Sequence, residues 1–236
     1  MWLIAEYLAT SLFSLKPSWA TSSGGKSLLL PTPFAIKMAL LDAACRSDGV
    51  IAAKQAWASI APLQIALRGP GRIVVSNTFT KILKPKRGES VEGSADFGPM
   101  QKSIGFREYV YHDGTIAFAL QITNSDTAAL LSDWLFQINY LGKRGGFLQL
   151  SSLPELADDL PSDFVIINQM HASAIPINGV VQPMDDTGEK VSFEKVNIYS
   201  GESLKSGKDR VLHHVVLPYR LVKSSRGYSL YERFEL

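Results

Sequence analysis

The sequence contains a single cysteine, few charged residues and no long apolar run, and each shortage excludes a class of protein. Cys45 is the only cysteine among 236 residues, which excludes an internal disulfide and fits a reducing cytoplasm. Apolar residues make up 46% and charged residues 19%, values typical of a globular chain. The run MWLIAEYLATSLF at 1–13 is interrupted by Glu6 and lacks a basic leader, so it predicts a core strand and no signal peptide. We expect a soluble, cytoplasmic protein without membrane contact.

Histidine is scarce as well, and the four histidines do not predict a metal centre. His213 and His214 are adjacent, so they point to opposite faces of a strand, and His171 is isolated. No histidine has cysteine or carboxylate neighbours at a spacing typical of metal ligands. We therefore expect neither a metal nor a cofactor.

One segment is similar to a phosphate-binding P-loop but lacks its context. Residues 20–27 read ATSSGGKS, with alanine in place of the first glycine. A working P-loop needs a helix that opens at the Lys-Ser pair, and Pro31 and Pro33 disfavour one starting at Lys26. A nucleotide-binding protein is thus a minor alternative, and a flexible basic loop is the favoured interpretation.

What the chain does have is an uneven distribution of charge around a net charge of +2. Residues 151–163 hold four acids and no base, and residues 68–87 hold no acid. A concentrated basic segment attracts a polyanion, although a solvated surface loop explains the charge alone equally well. The bases of the second segment are Arg68, Arg72, Lys81, Lys84, Lys86 and Arg87.

The first third of the chain predicts a strand followed by a helix. Strand formers alternate over 2–8. Thr32 is suited to cap a helix that begins at Pro33 and continues to Cys45. A second helical piece is expected over 50–60.

A long hairpin is expected next. Strand-like sequence covers 63–67 and 72–83, and the glycine- and proline-rich segment 84–104 follows. Loops this long are usually functional or flexible, so we interpret 84–104 as the tip of a hairpin with arms at 72–83 and 104–111.

An Asp-Gly turn at 113–114 then leads into another strand and a helix. Ser125 or Asp126 can cap this helix, and Gly142 is the expected stop. Its buried face is expected to carry Leu131, Trp134, Leu135, Ile138 and Leu141.

This order of elements predicts an α+β fold of two parts. Strand, helix, strands, helix, strand is the order of a ferredoxin-like domain, which we assign to 1–150 with an insertion at about 84–104. Short strand-like runs separated by turns continue to the end, and predict a smaller β-rich C-terminal lobe over 151–236.

The strand at 104–111 offers groups that suit RNA. Alternation places Arg107, Tyr109 and Tyr111 on one face, where guanidinium groups pair with phosphate and rings stack on unpaired bases. The alternative is that the tyrosines simply pack a sheet.

The turn Gly142-Lys143-Arg144-Gly145-Gly146 presents two bases and exposed amides that can approach a phosphate. Its alternative is a helix C-cap with bases at the negative end of the dipole. Because three segments agree, we predict an RNA-binding surface. Its expected members are Arg68, Arg72, Lys81, Lys84, Lys86, Arg87, Lys102, Arg107, Tyr109, Tyr111, Lys143 and Arg144.

A catalytic alternative uses the same region. His112 lies in a predicted turn near Tyr109 and Lys143, and such a group can move protons in metal-independent RNA cleavage. The alternative function is therefore an endoribonuclease, with Tyr109, His112 and Lys143 near the cut.

Three stretches in fixed order resemble one known family: LPTPFAIKMALLDAA at 30–44, GFREYVYHDGTIAFALQI at 105–122 and INYLGKRGGF at 138–147. They resemble the CRISPR-associated Cas-five family, a RAMP-type subunit of the type I Cascade surveillance complex. Lys37-Met38 departs from the small or glycine residue common in that family, and no strict glycine-rich RAMP loop is visible near the C-terminus.

The resemblance implies an RNA-recognition-type, ferredoxin-like body with a protruding hairpin thumb at 84–104. It also implies a subunit of antiviral defence that grips the 5′ handle of the CRISPR RNA (crRNA) and caps one end of the complex. The implied partners are a backbone subunit, the large subunit that senses the protospacer-adjacent motif and, indirectly, target DNA. One branch of the family cuts pre-crRNA with a Tyr, His and Lys group.

Overall fold

The computed structural model describes residues 1–18, 20, 25–88, 92–94, 97–142, 145–169 and 178–235. They form a mixed α/β structure with many strands and few helices, in agreement with the predicted class. In chain order the elements are β1 (Trp2–Ala9), α1 (Pro33–Ile60), β2 (Ile65–Arg68), β3 (Arg72–Pro85), β4 (Met100–Asp113), β5 (Thr115–Gln121), α2 (Ser125–Gln137), β6 (Leu148–Leu150), β7 (Glu155–Ala157), β8 (Val165–Ile166), β9 (Val180–Thr187), α3 (Phe193–Val196), β10 (Arg210–Leu217), β11 (Tyr219–Ser224) and β12 (Tyr228–Arg233).

The first sheet has the strand order β6-β1-β5-β2-β8, with β7 beside β1 as well. All its pairings are antiparallel, and Ile4 of β1 lies opposite Ala119 of β5. The two long helices pack on the face that carries Leu3 and Tyr7, and the Tyr7 hydroxyl donates to the Leu135 carbonyl of α2 at 2.8 Å. Because strand side chains alternate, this face became the main core.

The first helix begins where the sequence predicts. The Thr32 hydroxyl accepts a hydrogen bond from the Ala35 amide at 3.2 Å, and Pro33 occupies the first turn. At Gly49 the backbone has φ 85° and ψ 164°, which breaks the helix into the two predicted pieces.

The second helix differs from the prediction at both ends. Its cap is Asn124, whose side chain accepts from the Thr127 amide at 2.8 Å, and not Ser125 or Asp126. It ends at Gln137 because Ile138 is extended, well before Gly142. The five apolar residues predicted for its inner side are nevertheless all buried.

The opposite face of the first sheet is covered by the chain after β7. Small side chains, Ala66, Ala117 and Ala119, are buried there beneath Trp2 and Phe164. This face is therefore closed to a large ligand.

The second sheet has the order β11-β12-β3-β4 and is built on the predicted hairpin. The two strands of this hairpin are longer than expected, since their pairing runs without interruption from Arg72–Asp113 to Pro85–Met100. Fourteen residues in each strand correspond to a hairpin of about 45 Å. The pairing therefore extends into the segment 84–104 that was predicted to be loop.

Two short junctions connect the sheets. Gly69-Pro70-Gly71 separates β2 from β3, and Gly114 separates β4 from β5. The buried Tyr219 hydroxyl donates to the Pro70 carbonyl at 2.5 Å. A side chain at Gly69 would meet that hydroxyl at 2.4 Å, so the close approach requires glycine.

The part after residue 150 is rich in strands, and the division of the chain at this point stays a prediction. β7 and β8 pair with strands of the first sheet, β9 and β10 form a two-stranded sheet, and the β11–β12 hairpin pairs with β3. Met184, Val215 and Leu217 share one apolar cluster with the helices.

A buried ion pair connects α1 to β9. The Lys37 ammonium lies 2.8 Å from the Asp186 carboxylate and also donates to the Ala61 carbonyl at 2.7 Å. Asn168 donates to the same carboxylate at 2.9 Å. Burial lowers the pKa of the Lys37 ammonium, and the adjacent Asp186 opposes that shift. Among the described helices, none is long and apolar enough to cross a membrane.

Candidate nucleic-acid interface

The outer part of the hairpin, here called the arm, comprises residues 77–85 and 100–108. β12 pairs with β3 only as far as Ser76, so beyond it the ribbon is two-stranded. Its inner end is contacted by Gly25, which accepts from the Glu108 amide at 2.6 Å, and by Lys26. Cross-strand partners share a side of an antiparallel ribbon. The polar side is formed by Thr78, Thr80, Ile82, Lys84, Gln101, Ser103, Gly105 and Arg107, and the apolar side by Phe79, Lys81, Leu83, Pro85, Met100, Lys102, Ile104 and Phe106.

The predicted arm bases are thus divided between two sides. Lys84 and Arg107 lie on the polar side, while Lys81 and Lys102 lie on the apolar side. All four are exposed, and within the described residues none of them has a carboxylate partner. Arg87 near the tip is exposed too. In the sequence, the segment between the two strands also contains the acids Glu89, Glu92 and Asp96, which lower the net charge of that segment.

At the base of the arm, the polar side continues into an open surface that we call the tyrosine face. Tyr109 lies opposite Ser76, which pairs with Tyr228 on its other flank. Tyr111 lies in the next row, and Lys223 of β11 lies in that row as well. The predicted alternation is found in β4, where Arg107 and Tyr111 are exposed and Tyr109 is half-buried.

Reasoning from sequence missed the contribution of the C-terminal hairpin to this face. The run GYSLYERFEL indicates a strand, and its alternation places Tyr228 and Leu230 on one side. Its partner β3 is about 150 residues away in sequence, and no local signal specifies that pairing.

Two arginines of the predicted surface are paired with carboxylates of the same chain. Arg68 pairs with Glu6 and, at 3.1 Å, with Asp163, and its guanidinium lies 5.1 Å from the centre of the Phe164 ring. It covers the closed face of the first sheet and lies away from the arm. Arg72 pairs with Asp113 across the base of the hairpin at 2.8 Å.

His112 belongs to a strand and faces the core, so its prediction as a surface turn residue was wrong. It is 3% exposed, its Nε2 lies 2.8 Å from the Leu29 carbonyl oxygen, and its ring meets Phe13 edge-on at 5.3 Å. Burial lowers the pKa of His112 from 6.5 to about 4. Tyr109 lies on the opposite side of β4, so these two members of the proposed cleavage group do not meet.

Lys143, the third member, and Arg144 lie outside the described residues. The ends of their loop lie beside the base of β4. The Ser11 hydroxyl donates to the Gly145 carbonyl at 2.6 Å, and the Phe13 amide donates to the Val110 carbonyl at 2.8 Å.

The lysine of the P-loop-like segment, Lys26, is paired with a carboxylate of this chain. Its ammonium lies 2.6 Å from a carboxylate oxygen of the buried Glu108, whose other oxygen accepts from the Ser27 amide at 2.8 Å. No helix begins there, since α1 starts at Pro33. In the part of the chain that the structure describes, no group of three or more His, Cys, Asp or Glu side chains is arranged to hold a metal ion.

The molecule is therefore an α+β protein whose second sheet carries a long arm and an exposed face of tyrosines. No family model matches the chain. A curated relative, CRISPR-associated protein Cas5 of Archaeoglobus fulgidus, is 25% identical over 225 residues, which cover 94% of each chain. This relative confirms the resemblance to the Cas-five family over nearly the whole length.

Two solved structures are similar to this chain. One is a chain of a CRISPR RNA-guided surveillance complex, with 15% identity and a TM-score of 0.47, covering 92% of this chain and 91% of that one. The other is a CRISPR protein from Archaeoglobus fulgidus, with 12% identity and a TM-score of 0.46, covering 99% of this chain and 92% of that one.

Proposed function

We propose that this protein is the crRNA-binding subunit of a type I Cascade effector complex in antiviral defence. It holds the 5′ handle of the crRNA and caps one end of the backbone. Its partners in this assignment are the crRNA, a backbone subunit and the large subunit that senses the protospacer-adjacent motif, with target DNA contacted indirectly. The similarity to a CRISPR-associated relative over 94% of the chain supports the assignment.

We further propose that the body is a ferredoxin-like RAMP domain and that the arm is its thumb. The strand order β6-β1-β5-β2, with α1 after β1 and α2 after β5, supports this interpretation because it matches the βαββαβ arrangement. The thumb is then an insertion between the second and third strands of that motif. Residues 151–236 act as a smaller lobe that supports the base of the thumb through β12.

The observation that carries the RNA-binding role is the tyrosine face and its continuation along the polar side of the arm. Tyr109, Tyr111 and Tyr228 offer rings to unpaired bases, and Arg107 and Lys84 offer cations to phosphates on the same side. The outer face of the first sheet, which RNA-recognition domains of this topology use for stacking, is closed here by Phe164.

The test is binding of a fluorescently labelled single-stranded RNA that carries the repeat-derived handle, measured by anisotropy. A base stacked on an aromatic ring contributes about 1–3 kcal/mol, so Tyr109→Ala and Tyr228→Ala should each raise Kd about 5- to 150-fold. Tyr199→Ala is the matched control, because Tyr199 is 91% exposed but lies on the loop after α3. Unchanged affinity in both face variants would refute the proposed RNA surface.

A further inference from the structure

The arm is fixed to the rest of the molecule along both edges of one row of the hairpin, the row that pairs Asn77 with Glu108. On the β3 edge, the Asn77 amide donates to the Gly227 carbonyl at 2.8 Å, and the Asn77 side chain donates to the Arg226 carbonyl at 3.1 Å. On the β4 edge, the Glu108 amide donates to the Gly25 carbonyl at 2.6 Å. The arm therefore leaves the body at this row.

The contact on the β4 edge comes from two stretches of chain before α1, residues 13–15 and 25–28, which we call the strap. The two stretches are joined to each other, because the Leu28 amide donates to the Leu15 carbonyl at 2.8 Å. The Ser27 hydroxyl adds a second link, since it accepts from the Leu15 amide at 3.0 Å. The strap is thus one connected element and not two separate contacts.

The strap lies along the outer edge of β4, which is the last strand of the second sheet. Phe13 and Val110 exchange two backbone hydrogen bonds, of 2.8 and 2.7 Å. Further along the edge, Gly25 lies so close to β4 that a side chain there would overlap the Phe106 carbonyl oxygen. The close approach of the strap to the arm therefore requires glycine at this position.

Glu108 is the side chain of β4 that holds the strap. It is 6% exposed, one of its carboxylate oxygens lies 2.6 Å from the Lys26 ammonium, and the other accepts from the Ser27 amide at 2.8 Å. In the strand it stands between Arg107 and Tyr109, whose side chains lie on the opposite side of β4 because strand side chains alternate. The strap is therefore bound to the part of β4 that carries two residues of the proposed RNA surface.

We infer that Glu108 is a positioning residue: by binding the strap it fixes the direction of the arm relative to the body, and so holds Arg107 and Tyr109 in place for RNA. Only the last of these steps rests on the proposed function. Beyond the row of Asn77 and Glu108 the arm is a two-stranded ribbon, and ribbons of this kind are marginally stable alone. Without the strap the arm would change direction about that row, and a ligand bound along it would have to order it, which weakens binding.

The sign of the effect separates this role from two others. If Lys26 were a phosphate-binding residue that Glu108 merely neutralises, removal of the Glu108 charge would strengthen the binding of a polyanion. If the ion pair only stabilised the fold, its loss would leave the affinity of the folded protein unchanged. Positioning alone predicts that binding of RNA becomes weaker when this negative charge is removed.

The direction of the arm is measured by double electron–electron resonance between nitroxide labels at Gln101→Cys on the arm and Ser59→Cys on α1, in a Cys45→Ala background and without RNA. Both labelled positions are exposed. We expect one narrow distance distribution in this parent, and a distribution about twofold wider in Glu108→Gln and in Gly25→Val, because both free the root of a marginally stable ribbon. The two variants differ in kind, since the first removes a charge at nearly constant volume and the second adds a side chain. Glu194→Gln is the matched control, because Glu194 also pairs with a lysine, Lys54, at 2.5 Å, but belongs to α3.

Anisotropy with the handle RNA is the second measurement. Glu108→Gln and Gly25→Val should each raise Kd about tenfold, since the arm must be ordered on binding, and Glu194→Gln should leave Kd unchanged. Narrow distance distributions in both strap variants would overturn the inference, and so would an affinity of Glu108→Gln that is equal to or higher than that of the parent. Because the distances are measured without RNA, a parent that has a narrow distribution but does not bind handle RNA would count against the proposed function and not against the strap.

Discussion

The buried histidine of β4 makes the stability of this protein depend on pH in a defined window. The His112 pKa is lowered from 6.5 to about 4, and burial is the cause. Between these values the unfolded chain binds more protons at this site than the folded one. Folding therefore gains stability as pH rises through the window and loses it as pH falls. The stability that the fold gains from keeping His112 neutral is fully present only above the unfolded pKa of 6.5.

The size of the effect follows from the two pKa values. Protonation of the unfolded histidine lowers the free energy of unfolding by about 2 kcal/mol more at pH 5 than at pH 7, and this cost reaches about 3 kcal/mol at pH 4. In His112→Leu the side chain no longer titrates, so that part of the pH dependence should disappear. His214→Leu is the matched control, since His214 is exposed on β10.

Urea denaturation of the isolated protein at pH 7, 6 and 5 measures the difference. We expect the free energy of unfolding of the His112→Leu variant to fall by about 2 kcal/mol less than that of the wild type between pH 7 and pH 5. Wild-type behaviour should be retained in His214→Leu. Equal pH dependence in the wild type and His112→Leu would refute the reasoning that His112 is buried and neutral.

Three further predictions concern the ion pair, the helix break and the RNA surface. Lys37→Met should lower the free energy of unfolding by about 3–5 kcal/mol in urea denaturation, because Asp186 is left charged and buried, and Asp186→Asn in the same chain should restore much of the loss. A variant as stable as the wild type would contradict this. Gly49→Ala should cost about 1–3 kcal/mol by thermal or urea denaturation, because its backbone conformation suits only glycine, although space for the methyl group is available. An unchanged denaturation midpoint in Gly49→Ala would show that the backbone at residue 49 does not require glycine. If the polar side and tyrosine face neutralise about three phosphates, the slope of log K against log salt should be about −2, and Lys84→Ala with Arg107→Ala should bring it to about −0.7. A slope that does not change would place the phosphate contacts elsewhere.

Local signals predicted the elements well. The proline after Thr32 predicted the start of α1, and the two expected helical pieces lie on either side of the break that the structure has at Gly49. The alternation around Tyr109 predicted the two sides of β4. These features depend on neighbouring residues in the chain, which a single sequence contains. The same alternation, continued by one step, also places His112 on the inner side.

Long-range partners were not predictable in the same way. Arg68 was assigned to an RNA surface from its basic neighbours, yet its carboxylate partners are 62 and 95 residues away. The open face on the second sheet depends on Tyr228 pairing beside Ser76, another contact between distant segments. Charge counted along a chain does not reveal which charges are neutralised in space.

The hydrogen bond between Tyr219 and the Gly69-Pro70-Gly71 junction has a mechanical consequence. Tyr219 holds the crossing from β2 to β3, and β2 and β5 both lie within the first sheet. Because the junction is held in place, a displacement of the arm is expected to move β2 and β5 in the middle of the first sheet. Binding of a ligand to the arm would then shift the strands of the first sheet on which α1 and α2 pack.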